Sequence, residues 1–496
     1  MEYAAVQVNG KSLEVPVGSL LSGILPRGSA ETPCGGHGSC GKCRVTAHGM
    51  LSGPSPEELV HLTPRELAAG VRLACCTRIK GACTVTVGNA GQSNIQMDED
   101  MPGFEMNPDF TRYGAAVDVG TTTLAACLYR ADGLRVAQAG GPNPQQKWGA
   151  DVISRVGSAL KGEGRALALS VREGIGELLH RMAYEAEIEP GWIDRVVITG
   201  NTAMLYLLTE TDPECLAHAP FTAERLFGEE LSAAILGLPC ATVYLSRCVS
   251  AFVGGDMTTA LLYSGMCNGT GTRMLADIGT NGETALWHGG RLLCCSTAAG
   301  PAFEGAGLSM GMSGKTGAVD HVHLKDDSIF FHVLGDGAPI GICGSGVVDA
   351  LACLLKLDKL DESGFLENDP AMIAPPVSLT QKDIRMVQLA KSAVSAGIRT
   401  LMHREGIICR EVEELAVAGG FGSYLNVQNA GRIGLLPMEL IPKVRVLGNA
   451  ALGGASMILL NRDMRVRSES LAAQAETVDL SVDDHFMEAY TEGMLF

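Results

Sequence analysis

The chain has 496 residues, 46% hydrophobic and 19% charged, which supplies ample apolar material for a buried core and excludes a disordered protein. Its 38 Lys and Arg stand against 55 Asp and Glu, a net charge of −17. Such a surface repels nucleic-acid phosphates and anionic lipid, because both are bound through basic residues.

The longest uncharged run near the end, Val446 to Leu460, is Gly-rich and shorter than the ~20 residues of a spanning helix. Met1-Glu2-Tyr3 opens neither the charged nor the apolar part of a secretory leader. No membrane span, no nucleic-acid partner and a cytoplasmic location are the expectation. In that compartment thiols stay reduced, so the 16 cysteines are not read as a disulfide framework. Ten of them are scattered and read as small buried hydrophobes.

Residues 1–92 read as a small β-rich unit. Val6-Gln7-Val8 and Leu13-Glu14-Val15 alternate around Asn9-Gly10, a hairpin signal because both turn positions need positive φ. Ser19 to Leu25 reads as a short helix ended by Pro26 and Gly28, and Thr84 to Val87 as a closing strand. Residues 93–112, with Asp98-Glu99-Asp100-Met101-Pro102-Gly103, read as a linker. Strands and helices then alternate from Tyr113 onward, the mark of an α/β domain. We divide this part into a first lobe, 113–270, and a second lobe with an insertion, 271–460. An acidic tail, 461–496, reads as peripheral, with Phe486, Met487, Tyr490 and Leu495 able to dock.

The long second part repeats itself. Asp118-Val119-Gly120-Thr121 opens one copy and Asp277-Ile278-Gly279-Thr280 the other; Gly141-Pro142 and Gly300-Pro301 each follow 23 residues later. Val196 to Asn201 and Leu415 to Gly420 then match as strand into Gly turn into helix. Two copies in one order imply two similar lobes with a cleft between them.

The cysteine string Cys34-Gly-Gly-His37-Gly-Ser-Cys40-Gly-Lys-Cys43 has the spacing C-x5-C-x2-C. Three thiolates from one loop and a fourth from a later segment suit a [2Fe–2S] cluster, and the glycines let backbone N–H groups wrap the sulfurs. A zinc site would more often show two C-x2-C knuckles, and one is present. His37, in a Gly-rich loop, reads as exposed or as a hydrogen-bond donor. Leu73-Ala-Cys75-Cys76 offers two adjacent candidates for the fourth ligand, whereas Cys83 falls inside a strand.

The two Asp-x-Gly-Thr loops each follow an apolar strand. Gly120, Thr121, Thr122 and Thr123 in one, and Gly279, Thr280, Asn281 and Gly282 in the other, can cradle phosphate oxygens with N–H and hydroxyl groups. Asp118 and Asp277 at the strand ends can hold Mg²⁺ through water. Gly419, Gly420 and Gly422 allow close approach of a nucleobase or ribose. Glu283 and Asp256 are candidates to orient an attacking water, each also readable as a cap or structural acid. One such loop alone is an ordinary turn. Two in a duplicated frame resemble the actin, Hsp70 and sugar-kinase superfamily of ATP-binding proteins.

Taken together, the sequence resembles the reductive activators of corrinoid-dependent enzymes, in which a [2Fe–2S] ferredoxin domain is fused to such an ATPase. The resemblance runs through Cys34 to Val45, Arg72-Leu-Ala-Cys75, Asp118 to Thr123, Gly149 to Arg155, Gly200 to Met204, Asp277 to Glu283, Ala299 to Gly305, Gly341 to Gly346, Ala418 to Gly422 and Gly448 to Gly453. It implies a β-grasp ferredoxin fold followed by a duplicated two-lobed ATPase. It implies Cys34, Cys40, Cys43 and Cys75 as cluster ligands, since the family usually has Gln after Arg-Leu-Ala-Cys; Cys76 is a departure. Tyr206 stands where His is expected.

The resemblance further implies ATP-dependent transfer of one electron from the cluster to the Co(II) corrinoid of a methyltransferase system, restoring Co(I). An external low-potential reductase and a homodimer belong to the same picture. Each ~59 mV of unfavourable gap costs about tenfold in a one-electron equilibrium, so a [2Fe–2S] centre near about −400 mV needs nucleotide to drive the step. An ATP-gated donor to another low-potential enzyme and a nucleotide-dependent redox sensor are the alternatives. A small-molecule kinase ranks last, because phosphoryl transfer has no use for a ferredoxin unit. The role of Gly341 to Gly346 stays undecided.

Overall fold

The computed structural model describes residues 3–25, 36, 38, 41–87, 103–420 and 424–496. The N-terminal unit is one five-stranded sheet in the order Lys11–Pro16, Tyr3–Val8, Ile79–Thr86, Arg44–Leu51, Val71–Leu73. Its first and last long strands run parallel, the β-grasp arrangement. The Asn-Gly hairpin forms, with Val8 opposite Lys11 and φ of 47° at Asn9 and 84° at Gly10.

A capping box, Ser55 with Glu58, starts the helix Pro56–His61. The Glu58 carboxylate is buried and pairs with Arg72 Nε at 2.8 Å. It also accepts from Leu73 N and Thr77 Oγ1, so one buried acid pins the turn that carries Cys75 and Cys76.

The duplication is visible in the strand order. The first lobe's sheet runs Glu229–Ser232, Thr242–Leu245, Ile193–Gly200, Tyr113–Val119, Thr123–Arg130, Arg135–Pro142. The second runs Val444–Gly448, Glu414–Ala418, Arg273–Ile278, Gly282–His288, Arg291–Thr297, Ala475–Thr477. In each, an antiparallel three-strand meander is extended by parallel strands. The central strands are buried on both faces, which is why they read as apolar runs without alternation.

Helix Gly164–Glu185 covers the outer face of the first sheet through Leu167, Val171, Ile175, Leu178 and Met182, spaced to share one helical face. Helix Gln381–Arg404 does the same for the second. The opposite faces share a single core with Ala116, Val197, Leu275 and Ala416 from the sheets. It also takes in Met257, Leu261, Leu452 and Ile458 from two helices, Gly255–Ser264 and Ala450–Leu460.

These two helices meet at near backbone contact: a Cβ on Gly454 would lie 1.9 Å from the Thr259 carbonyl oxygen. They form the seam between the lobes. The insertion adds a three-stranded sheet, Ala318–Lys325, Ser328–Val333 and Gly341–Ile342.

Two segments differ from the sequence reading. Of the linker 93–112, residues 103–112 are built into the ATPase: Phe110 is buried in the seam core and Asn107 pairs with Asn461. The tail 461–496 is not peripheral. Ala475–Thr477 joins the edge of the second sheet, and Phe486, Tyr490 and Phe496 pack on that lobe's core, whereas Met487 and Leu495 stay exposed. The buried Lys391 ammonium donates to the carbonyls of Gly493, at 2.7 Å, and Leu495. Acidic composition marked this segment as peripheral; Phe486, Ala489 and Tyr490 lie on one side of the helix Asp484–Glu492, and that side docks.

Candidate nucleotide cleft and iron–sulfur pole

Both Asp-x-Gly-Thr loops sit at the ends of the first strands of their lobes, facing each other across the cleft. The first loop is held by its carbonyls. Asn143 Nδ2 donates to Gly120 O at 2.8 Å, Arg155 Nη2 to Thr121 O at 2.6 Å, and Gln146 Nε2 to Thr122 O at 2.8 Å. Arg155 is fully buried, and burial pulls its pKa down to about 10. A guanidinium held in so dry a place points to a local need for positive charge. Asn201 caps the helix Thr202–Thr209 and donates to Thr121 Oγ1 at 3.2 Å.

A backbone bond ties each loop to the chain beside its Gly-Pro pair: Asn143 N donates to Thr122 O, and Gly300 N to Thr280 O, each at 2.8 Å.

Acidic side chains converge between the loops. Asp118 accepts from Asn449 Nδ2 at 3.0 Å, and Asn449 also caps the seam helix Ala450–Leu460. Burial pushes the Asp118 carboxyl up to about 6. Burial and the neighbouring Asp118 and Glu304 charges push Asp277 up to about 7. Asp256, in the first turn of the other seam helix, rises to about 8 through burial and the charges of Asp118 and Asp277. Glu283 is raised as well, by burial and the charges of Asp256 and Asp277.

Four buried carboxyls, three of them raised in part by acidic neighbours, form a site short of positive charge. Thr280 Oγ1 and Glu283 Oε1 are buried there without a hydrogen-bond partner among the described residues. A nucleotide phosphate with its cation fits both observations.

Sequence reasoning missed Glu304. Its Oε1 accepts from Thr280 N at 2.7 Å and its Oε2 accepts from the Thr122 hydroxyl, so one carboxylate spans both Asp-x-Gly-Thr loops. The only signal in the sequence was its place in Gly300-Pro301-Ala302-Phe303-Glu304-Gly305, at the repeat's Gly-Pro turn. Arg155, Asn143, Gln146 and Asn449 were likewise unassigned.

The remaining assignments fall as follows. Gly120 and Gly282 are sterically required: a Cβ would lie 2.8 Å from Thr123 O and 2.6 Å from Thr297 Oγ1, respectively. Thr123 opens the second strand of its meander and is exposed. Gly279 N donates to Asn281 O at 3.1 Å, closing the second loop. Gly419 has φ 105°, and a Cβ there would lie 2.5 Å from Ile278 O, so this turn rests directly on the second loop; Gly420 follows it. Gly422 lies outside the described residues. Tyr206 is core: its hydroxyl accepts from Arg225 N at 2.7 Å and its ring meets Phe227 edge-on.

At the other pole, Cys34, His37 and Cys40 lie outside the described residues. Cys43 and Cys75 are buried, with their Sγ atoms 3.2 Å apart; Cys76 Sγ is 3.6 Å from Cys75 Sγ. Gly36, Gly38 and Gly41 all have positive φ, and a Cβ on Gly41 would lie 2.9 Å from the His61 side chain. Two buried thiols facing each other inside a tight glycine loop fit a [2Fe–2S] cluster. Cys83 lies in the sheet core.

Comparisons with known proteins agree with this geometry. Residues 6–80 match the 2Fe-2S iron-sulfur cluster binding domain, 113–269 the RACo middle region, and 271–496 the C-terminal domain of RACo, the ASKHA domain. The chain is 34% identical to the corrinoid activation enzyme RamQ of Eubacterium limosum, over 77% of this chain and 70% of that one. The chain belongs to this family of corrinoid activators.

It is also 27% identical to the [Co(II) methylated amine-specific corrinoid protein] reductase of Methanosarcina barkeri, over 77% of this chain and 75% of that one. The solved structure of a reductive activator for corrinoid, iron-sulfur protein superposes with a TM-score of 0.74 at 25% identity, covering 99% of this chain and 98% of that one. No helix among the described residues of this activator is long and apolar enough to cross a membrane.

Proposed function

We propose that this protein is an ATP-dependent reductase of a corrinoid protein, delivering one electron to Co(II) and restoring Co(I). The observation that carries it is the joining, in one chain, of a buried cysteine pole to a cleft whose two phosphate loops are bridged by a single acid. The relatives named for corrinoid activation and reduction support the same reading.

Cys34, Cys40, Cys43 and Cys75 would hold the [2Fe–2S] cluster, which supplies a one-electron carrier. Thr121, Thr122 and Thr280, with the loop backbones, would bind the phosphates. Asp118 and Asp277 would reach Mg²⁺ through its waters, since that ion keeps several of them and takes only one or two carboxylates. Asp256, with its pKa near neutral, is placed to take a proton from an attacking water. Glu283, buried beside Asp256 and Asp277, lines the same site. The buried Arg155 holds the first loop rigid and offsets the negative charge gathered in the cleft. An external low-potential reductase would refill the carrier.

The test mixes the reconstituted protein with a Co(II) corrinoid protein and a chemical reductant, and follows the corrinoid absorbance with and without ATP and Mg²⁺. Conversion to Co(I) only with both reductant and nucleotide is expected. Equal conversion without nucleotide overturns the proposal.

A further inference from the structure

The segment Gly300 to Met312 touches both functional poles. At one end lies Glu304, with one carboxylate oxygen on Thr280 N and the other on the Thr122 hydroxyl. A few residues on, the carbonyls of Leu308, Ser309 and Gly311 receive the Lys42 ammonium at 2.5, 3.5 and 2.9 Å. Lys42 sits between Cys40 and Cys43 in the iron–sulfur loop.

The span between these ends is stiff. A Cβ on Gly305 would lie 2.2 Å from Met312 O, and one on Gly311 would lie 2.4 Å from Gly305 O, so the loop is folded back on itself. Met312 N donates to Ile342 O and Ile342 N to Met310 O, both at 2.9 Å. Ser309 N donates at 2.7 Å to Asp383, the buried acid that caps the helix Gln381–Arg404. A displacement at Glu304 is therefore passed along the loop rather than absorbed by it.

We infer that Glu304 reads the nucleotide and Lys42 receives the reading: phosphate and the Glu304 carboxylate compete for Thr280 N and Thr122, and the strap they share sets how the iron–sulfur unit docks. A phosphate arriving at these donors meets a carboxylate already holding them, and two anions cannot share them. Glu304 must turn away, to the nucleotide's cation or to solvent, and the strap's carbonyls shift beneath Lys42. The nucleotide-free protein holds the iron–sulfur unit docked; the nucleotide-bound protein frees it to meet a partner. Linkage makes the effect reciprocal: whatever weakens the Lys42 contact strengthens nucleotide binding by the same factor.

This inference rests on the cleft being a nucleotide site but not on corrinoid chemistry, so its test uses neither corrinoid protein nor turnover. Small-angle scattering and titration calorimetry are run on the full, iron-loaded chain, with a non-hydrolysable ATP analogue and Mg²⁺. Wild type is expected to expand when the analogue binds. Lys42→Met, with iron content and visible absorbance unchanged, is expected to be expanded in both states. It should bind the analogue at least ~5-fold more tightly, the lower end of ordinary coupling. Glu304→Gln, which keeps a hydrogen-bonding amide but loses the charge, is expected to bind the analogue and stay compact. Wild-type scattering that ignores nucleotide overturns the inference. So does a Lys42→Met protein with wild-type affinity and dimensions.

Discussion

Replacing Gly454 by Ala adds one methyl group at the seam between the lobes. In an ordinary helix interior that change stabilises by ~0.5–1 kcal/mol, because Ala loses less backbone freedom on folding than Gly. Here the new Cβ would lie 1.9 Å from Thr259 O, 2.5 Å from its carbonyl carbon and 2.8 Å from its Cα. All three are backbone atoms of the partner helix, so no side chain can swing aside and the helices must separate. Overpacking of this kind costs ~1–3 kcal/mol, which outweighs the propensity gain.

Gly176 is the internal control. It lies in the helix Gly164–Glu185, where an added Cβ meets nothing within 4 Å. Gly176→Ala should raise the melting temperature by ~1–4 °C and Gly454→Ala should lower it by several degrees, at ~2–4 °C per kcal/mol for domains of this size. Circular dichroism melts read both. The seam helices present Asp256 and the Asn449 that holds Asp118, so Gly454→Ala should also weaken ATP-analogue binding measured by calorimetry. A Gly454→Ala protein as stable as wild type would refute the close backbone contact and the seam built on it.

Asp118, Asp277 and Asp256 have carboxyls raised to about 6, 7 and 8, so at acid pH they carry protons that a nucleotide–Mg²⁺ complex must displace. Affinity should therefore climb between about pH 6 and pH 8, by up to tenfold per pH unit for each proton released, and level off above; affinity independent of pH would count against cation binding there. Cys75→Ser should lose most of the iron and the visible absorbance after anaerobic reconstitution, and Cys76→Ser should retain both. The reverse result would move the fourth ligand to Cys76. Glu58→Gln leaves the buried Arg72 unpaired, a change worth ~3–5 kcal/mol. It should destabilise the N-terminal unit and speed iron loss, followed by absorbance decay. The Glu58 pKa is lowered in the fold by its hydrogen bonds to Arg72 and the backbone, against the opposing effect of burial. Its contribution is thus present above the unfolded carboxyl pKa of ~4.5 and fades as pH falls further, so the variant and wild type should converge at acid pH.

What could be read from the chain by itself is what short-range chemistry encodes. The spacing of Cys40 and Cys43 suits one metal loop, Asn9-Gly10 suits a hairpin turn, and the two Asp-x-Gly-Thr strings suit phosphate loops. In each case the geometry is set within a few residues, because turn dihedrals and ligand reach are local properties. The duplication was legible for the same reason: each copy repeats its own local signals at the same spacing.

Tertiary structure alone decided the rest. Glu304 meets Thr122 across 182 residues of chain, and Asn449 meets Asp118 across 331. Arg155 grips the carbonyl of Thr121 from a helix of its own, and Lys42 reaches the second lobe. The acidic tail is docked by an apolar face and by Lys391 rather than repelled by its charge. Such pairings depend on where folded lobes place distant side chains, and no spacing along the chain encodes a separation that closure of the sheets and their shared seam creates.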